Sequence, residues 1–383
     1  MGGRESSPPR TPDTGEGRVE QDSFVEGNTP MTRFASIIAC RVSKSYVLTK
    51  IATWAGVLAM TLLPPLVASA APIELKLAFF PPERTAIYDA AIQPFVDAVN
   101  TEGNGLLAIK VYPNGALGKV VAQQPQMVLD GVADIGWVIP GQTPYRFPDN
   151  QLLEMPGLFR DVREGTLAYT RLIAAKALRG YEDFVVIGAF TADPTFLHSR
   201  KPIGSLAALK GQKIRANNQI EADVLERFGA IPTVMPASRL ADAIGRGAID
   251  GAALAPTAVF DFRVAAVAKN HYLLDGGAAP LVLLMSRKKV TSMPAAAQAL
   301  IRKYSGEWAA AAWIASFGGG EQRSLDKIKS DPTRKVVEPS PADREAAQRI
   351  YQSVIEAWAA KDARNRKLLT LIKDEIAKIR SAK

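Results

Sequence analysis

Two kinds of apolar spacing take turns along this chain. From Ile73 to Phe80 apolar and polar residues alternate, which predicts a strand, whereas Thr85 to Asn100 places Ile87, Ala90, Ala91, Pro94, Phe95 and Val99 at helical intervals. Leu107 to Val111 is strand-like. Val120 to Leu129 is helical with Pro125 to be accommodated, and Ile135 to Ile139 and Val185 to Phe190 are strands. A second series begins after Val185–Phe190. Ser205 stands where a cap would for a short turn over Leu206 to Leu209. Lys213 to Ala216 is a brief strand, and Asn218 to Phe228 a helix broken by Gly229. The pattern restarts at Thr233 to Met235, Leu240 to Ile244 is a helix, and Ile249 to Leu254 is a buried strand. The chain crosses back at about His271 to Met285. Pro294 to Phe317 is expected to be one Ala-rich helix with Trp308 and Trp313 on its apolar side, stopped by Gly318-Gly319-Gly320. Ala342 to Ala360 and Asn365 to Ala382 are amphipathic. Strands alternating with helices indicate an α/β chain.

Length divides this pattern into two bodies. The segment from about residue 72 exceeds what a single hydrophobic core usually serves. We expect lobe I at 72–192 with about 281–320, and lobe II at 193–280 with about 321–383, braced at a hinge by a long late helix. Residues 1–71 are set apart as a leader. Residues 1–30 are rich in Gly, Pro, Glu, Ser and Thr without an apolar period, which predicts disorder, and Met31 is an alternative start. Lys50 to Ala71 has a cationic flank, an apolar run from Ile51 to about Leu63, the Pro64-Pro65 break and the small exit Ala68-Ser69-Ala70. This is the layout of a secretory signal peptide cleaved near Ala70 or Ala71. The single cysteine, Cys40, lies in that leader, so a mature chain has no thiol to oxidise.

Charge and motifs narrow the chemistry. The formal net charge of +9 suits an anionic partner, but no stripe of Lys and Arg with interleaved aromatics marks a nucleic-acid surface. There is no Gly-x-Ser-x-Gly elbow, no His-Glu-x-x-His and no phosphate-binding loop, and the only two histidines are His198 and His271. No catalytic residue, metal or cofactor is expected. Both histidines are read as structural.

A cation inside an apolar run is the strongest binding signal. Leu209-Lys210-Gly211-Gln212-Lys213-Ile214-Arg215 puts one guanidinium at a strand end, ahead of Gly229-Ala230-Ile231-Pro232 and Gly247-Ala248-Ile249-Asp250-Gly251. A planar, permanently charged fork is the group of choice for a carboxylate. Around it, in chain order, stand Val111-Tyr112-Pro113-Asn114-Gly115-Ala116-Leu117-Gly118, Leu129-Asp130-Gly131-Val132-Ala133-Asp134, Phe147-Pro148, Glu154-Met155-Pro156-Gly157-Leu158 and His198-Ser199-Arg200-Lys201-Pro202-Ile203. Together these segments resemble the solute-binding proteins of tripartite ATP-independent periplasmic (TRAP) transporters, of the dicarboxylate-binding-protein-like family, over roughly residues 73 to 360.

The resemblance implies a two-lobed periplasmic binding protein fold, a small carboxylate held by Arg215, delivery to a TRAP permease in the membrane, and a periplasmic location. A ligand sensor feeding a receptor would use the same lobes. From the strand ends, the candidate lining residues are Phe80, Glu83, Trp137, Thr195, Phe196, Arg215, Asn217 and Leu254. The chain departs from the commoner family pattern in three places. No second arginine occurs near Thr195-Phe196, Ala252-Ala253-Leu254-Ala255-Pro256 replaces a polar Glu-Asn-Pro, and Arg239 stands where a glutamate is usual. We therefore expect a monocarboxylate site with an apolar wall, for a 2-oxo, 2-hydroxy or aromatic acid.

Overall fold

The structure, a computed structural model, describes residues 71–382. The expected disorder of residues 1–30, the signal peptide, the alternative start at Met31 and Cys40 lie outside the described residues. Among the described residues no helix is long and apolar enough to cross a membrane.

Lobe I opens with β1 (Ile73–Ala78), whose inward residues Leu75 and Leu77 are buried. A single π turn at Tyr88–Ile92 leads into α1 (Gln93–Glu102), which buries Phe95, Val96 and Val99. Then follow β2 (Leu107–Tyr112), a short helix Gln124–Leu129, β3 (Ile135–Val138), α2 (Val162–Ala174) and β4 (Phe184–Thr191). Pro125 is tolerated because it occupies the first turn of its helix, where its missing N–H has no partner to lose.

The chain then crosses to lobe II. It forms β5 (Phe196–Ser199), β6 (Lys213–Ala216), α3 (Gln219–Arg227), β7 (Ile231–Val234), β8 (Gly251–Leu254) and β9 (Asn270–Tyr272). Ser205 precedes the turn Leu206–Leu209 as expected, but its hydroxyl makes no cap hydrogen bond; the turn is a single 3-10 turn.

β10 (Pro280–Ser286) returns to lobe I and is followed by α4 (Ala295–Lys303) and α5 (Glu307–Phe317). The single helix expected over Pro294–Phe317 is thus two helices. Gly306 separates them at φ 64°, ψ −119°, a backbone shape open to glycine and costly for other residues. The second helix does end at Phe317 with Gly318 as its C-cap, as expected, and the last glycine of the triplet, Gly320, begins α6 (Gly320–Ser330). After β11 (Lys335–Val337) come α7 (Pro341–Ala360) and α8 (Ala363–Ser381).

Each lobe is built on one sheet. The first runs β2-β1-β3-β10-β4, parallel from β2 to β3 and antiparallel around β10. The second runs β11-β9-β5-β8-β6-β7. Two extended segments join the lobes side by side, with Ala192 N–H donating to Ala279 O at 2.9 Å and Thr195 N–H to Gly277 O at 3.0 Å.

α7 spans both lobes. Near its start Tyr272 donates to Asp343 at 2.8 Å and Tyr351 donates to the Asp275 carbonyl at 2.6 Å; near its end Trp358 donates to Gln151 of lobe I at 3.1 Å. α8 lies on lobe I through Arg364–Asp149 (2.6 Å) and Arg380–Glu164 (2.7 Å). The expected assignment of everything from about 321 to 383 to lobe II is corrected here. The apolar stripe of α8, with Leu368, Ile372 and Ile376 buried, is matched by the exposed side of α2 and not by the second sheet.

Candidate functional site

Strand alternation decides what β6 offers. Ile214 joins the core under α3, and Arg215, one residue on, points to the other face, where it is 2% exposed. Its Nε donates to Met235 O at 2.8 Å, Nη1 to Ala253 O at 3.1 Å and Nη2 to Asn217 Oδ1 at 2.8 Å. Of the five guanidinium donors, one N–H on each terminal nitrogen is left over. No carboxylate forms a salt bridge with it among the described residues. Burial pulls its pKa down to about 10 against the opposing charge of Glu221, so it remains protonated at neutral pH.

Asn217 is positioned by the start of α3. Asn218 caps the helix by accepting from Glu221 N–H, and the Glu221 carboxylate reaches back to Asn217 N–H at 2.6 Å and accepts from the Thr195 hydroxyl at 2.9 Å. This is a variant of the reciprocal capping box, with the acid bonding one residue earlier. Burial raises the Glu221 pKa while Arg215 opposes the rise. Asn217 Oδ1 is occupied by Arg215, and its Nδ2 has no partner.

Arg215 and Asn217 border a cavity between the lobes of about 690 Å³, its open mouth included. Phe80, Trp137, Thr195 and Leu254 also border it, so six of the eight sequence candidates meet at one place. Trp137 serves two roles. It belongs to the lobe I core with Phe79, Phe190 and Trp313, and it presents an unpartnered Nε1.

The other two candidates lie elsewhere. Glu83 is exposed, because the Pro81-Pro82 turn carries the chain outward. Phe196 borders a second space of about 360 Å³, open solvent included, with Glu154, Glu221, Phe228 and Tyr351; Thr195, just before β5, borders both cavities. Arg239 is exposed and does not border the first cavity, although the neighbouring Pro236 and Ala237 do. His198 and His271 face each other at 2.7 Å through their Nδ1 atoms inside lobe II, away from the cavity.

Sequence reasoning missed three acidic groups. Asp193, on the crossing segment, borders the cavity with an unpartnered Oδ2. Burial and the hydrogen-bonded neighbour Glu321 push its carboxyl up to about 8. Glu154 is fully buried, and desolvation, with Glu221 adding to it, raises its pKa well above the usual range. Asp261 is pushed up to about 6 by burial. An acid between the apolar strands Val185–Phe190 and Phe196–Ser199 was the available signal for Asp193.

Two hydrogen bonds tie the lobes at the cavity mouth. Gln142 donates to the Asn217 carbonyl, and Ala86 N–H donates to both Asp261 oxygens at 3.3 and 3.2 Å.

Comparison with known proteins agrees with this arrangement. Residues 77–362 match the profile of bacterial extracellular solute-binding protein family 7. A solute-binding protein of Roseobacter denitrificans is 30% identical over 210 residues, 51% of this chain and 62% of that one. The chain therefore spans less than two thirds of the length of that curated relative. A crystal structure of a marine metagenome TRAP solute-binding protein specific for aromatic acid ligands, with 3-hydroxybenzoate, is 26% identical with a TM-score of 0.74, over 81% of this chain and 99% of that one. A TRAP solute-binding protein of Rhodoferax ferrireducens with copurified benzoate is 27% identical with a TM-score of 0.72, over 80% and 98%. Fold, cleft and profile converge, and the chain belongs to bacterial extracellular solute-binding protein family 7, with the two-lobed fold of TRAP solute-binding proteins.

Proposed function

We propose that this protein captures a small organic monocarboxylate between its lobes and delivers it to the membrane permease of a TRAP transporter. The observation that carries the reading is Arg215, a guanidinium 2% exposed that borders the interlobe cavity and has no carboxylate partner. Glu221 opposes this charge without forming a salt bridge with it, and a ligand carboxylate would pair with it directly by taking the two uncommitted N–H groups. Phe80, Ile139, Leu254 and Phe262 supply the apolar wall for the rest of the molecule. The benzoate and 3-hydroxybenzoate of the two neighbours support an aromatic acid as the first class to try, ahead of 2-oxo and 2-hydroxy acids.

In this reading the protein is a carrier and performs no catalysis. It works in the periplasm after loss of a leader near Ala70 or Ala71. A micromolar dissociation constant, about −8 kcal/mol, is within reach of one enclosed ion pair and an apolar wall. The test is thermal unfolding of the chain from Ala71 against mono- and dicarboxylic acids. A binder present at 100 times its dissociation constant adds about 2.7 kcal/mol of stability. Stabilisation by a monocarboxylate, lost in Arg215→Ala, is expected; a panel in which no monocarboxylate stabilises the protein overturns the reading.

A further inference from the structure

We infer that Asp193 sets ligand specificity in this cavity: its free carboxyl oxygen accepts a hydrogen bond from a hydroxyl on the solute, so that hydroxylated monocarboxylates are preferred and dicarboxylates are turned away. The inference rests on the proposed pairing of the ligand carboxylate with Arg215.

It starts from the buried polar atoms that lack a partner. Among the described residues these are Gln124 Oε1, Trp137 Nε1, Glu154 Oε1, Asp193 Oδ2 and Asn217 Nδ2. Trp137, Asp193 and Asn217 border the same cavity and are respectively 0%, 2% and 8% exposed. Two of the three atoms donate and one accepts. With the proton of Asp193 committed to its hydrogen bond with Glu321, the free oxygen of Asp193 only accepts, so a ligand carboxylate can serve Arg215, Asn217 and Trp137 and has no hydrogen to offer it. A buried acceptor left unmatched carries the full cost of its desolvation. A ligand with one carboxylate and one hydroxyl supplies acceptors for the two donors and a donor for Asp193.

The charge around Asp193 makes the choice sharper. Asp193 is hydrogen-bonded to Glu321 at the start of α6, and Asp161 and Asp275 lie close enough to raise the carboxyls of the pair. Glu321 accepts the hydrogen bond of Asp193 and acts on it as a negative neighbour, so this side of the cavity carries like charge. A second ligand carboxylate brought to this side would face that charge in a desolvated space. Selectivity of this kind, by an element that repels the competitor, needs no further contact with the preferred solute. A site built to pair a ligand hydroxyl also discriminates strongly against the analogue lacking it.

The experiment is titration calorimetry with matched probes: benzoate against 2-, 3- and 4-hydroxybenzoate, propionate against lactate and 3-hydroxypropionate, and isophthalate and succinate as dicarboxylates. For the wild type, the best hydroxylated acid should bind about 10-fold or more tightly than its parent, as one satisfied buried hydrogen bond predicts. Both dicarboxylates should bind more weakly than either. Asp193→Ala should bring the hydroxyl preference to within about twofold of unity, the level at which no such bond contributes. Asp193→Asn, which keeps a carbonyl acceptor and removes the charge, should retain the preference while strengthening dicarboxylate binding, and it provides a reading if the alanine variant does not fold. Equal affinity for parent and hydroxylated acids in the wild type, or a preference that survives in Asp193→Ala, overturns the inference and leaves the carboxylate site standing. Failure of every acid to bind overturns the carboxylate site itself, and the inference with it.

Discussion

Asp149 and Arg215 are both charged and both almost fully buried, yet their surroundings are opposite. Asp149 accepts from Arg179 at 2.6 Å and from Arg364 at 2.6 Å, and a backbone N–H adds a third partner. Burial alone would raise its carboxyl; these donors hold it at about 2. Arg215 is supported by carbonyl and amide oxygens and by no salt-bridged carboxylate. Completed ion pairing at Asp149 fastens α8 to lobe I. Incomplete pairing at Arg215 leaves two N–H groups for the ligand anion of the proposed function. The same chemistry thus stabilises where its valences are filled and binds where they are left open.

The contrast can be broken at either end. Arg215→Met should show the largest effect, a loss of about 100-fold or more in carboxylate affinity, as expected when one member of a desolvated charge pair is removed. Free-protein stability should fall less than this, because the loss of the donor to Met235 O, Ala253 O and Asn217 Oδ1 is partly offset by removal of a buried charge. Calorimetry and denaturant unfolding read the two halves, and a variant that binds normally would end the comparison. Asp149→Asn should do the reverse. We expect about 2–3 kcal/mol less unfolding stability with unchanged ligand affinity, the figure being reduced because both arginines reach solvent.

Acid sharpens the second result. The lowered carboxyl of Asp149 contributes stability that is complete above its unfolded value near 4 and is lost as pH falls towards 2. The difference between wild type and Asp149→Asn should therefore shrink between about pH 5 and pH 2. A constant difference would remove the ion pairs as its source. The smallest expected change is at the histidines. His198 and His271 are held low, at about 3 and 4, first by burial and then by mutual and arginine charge, and a hydrogen-bond chain runs from Arg334 through both rings to the Leu254 carbonyl. Nitrogen-detected NMR should find both neutral down to about pH 5; a midpoint near 6.5 would mean that the chain is open.

What could be read in advance follows the range of the interactions. Arg215 was visible because a cation inside an apolar strand has few structural excuses, and Lys213–Ala216 appears with the expected bounds. Phe80, Trp137, Thr195 and Leu254 followed from strand ends, which locate a cleft in α/β folds. Phe196 failed because the lining of the first cavity stops at Thr195, which borders both spaces, while Phe196 and Leu197 border only the second. The break at Gly306 was hidden by helical apolar spacing on both sides of it. Asp193 and Glu321 lie 128 positions apart, and only the crossing of the chain makes them a pair. The docking of α8 on lobe I depended equally on partners remote in sequence.

The bonds at the cavity mouth, Gln142 to Asn217 and Ala86 to Asp261, give the molecule a clock. Neither needs to touch the solute, but both must part before the lobes can separate around it. Each is worth about 1 kcal/mol, so each lengthens the bound lifetime about fivefold, and together they lengthen it by roughly 25-fold. In the proposed function, residence time can therefore drift over generations by substitutions at the rim while the choice of solute, assigned to Arg215 and its neighbours, stays the same.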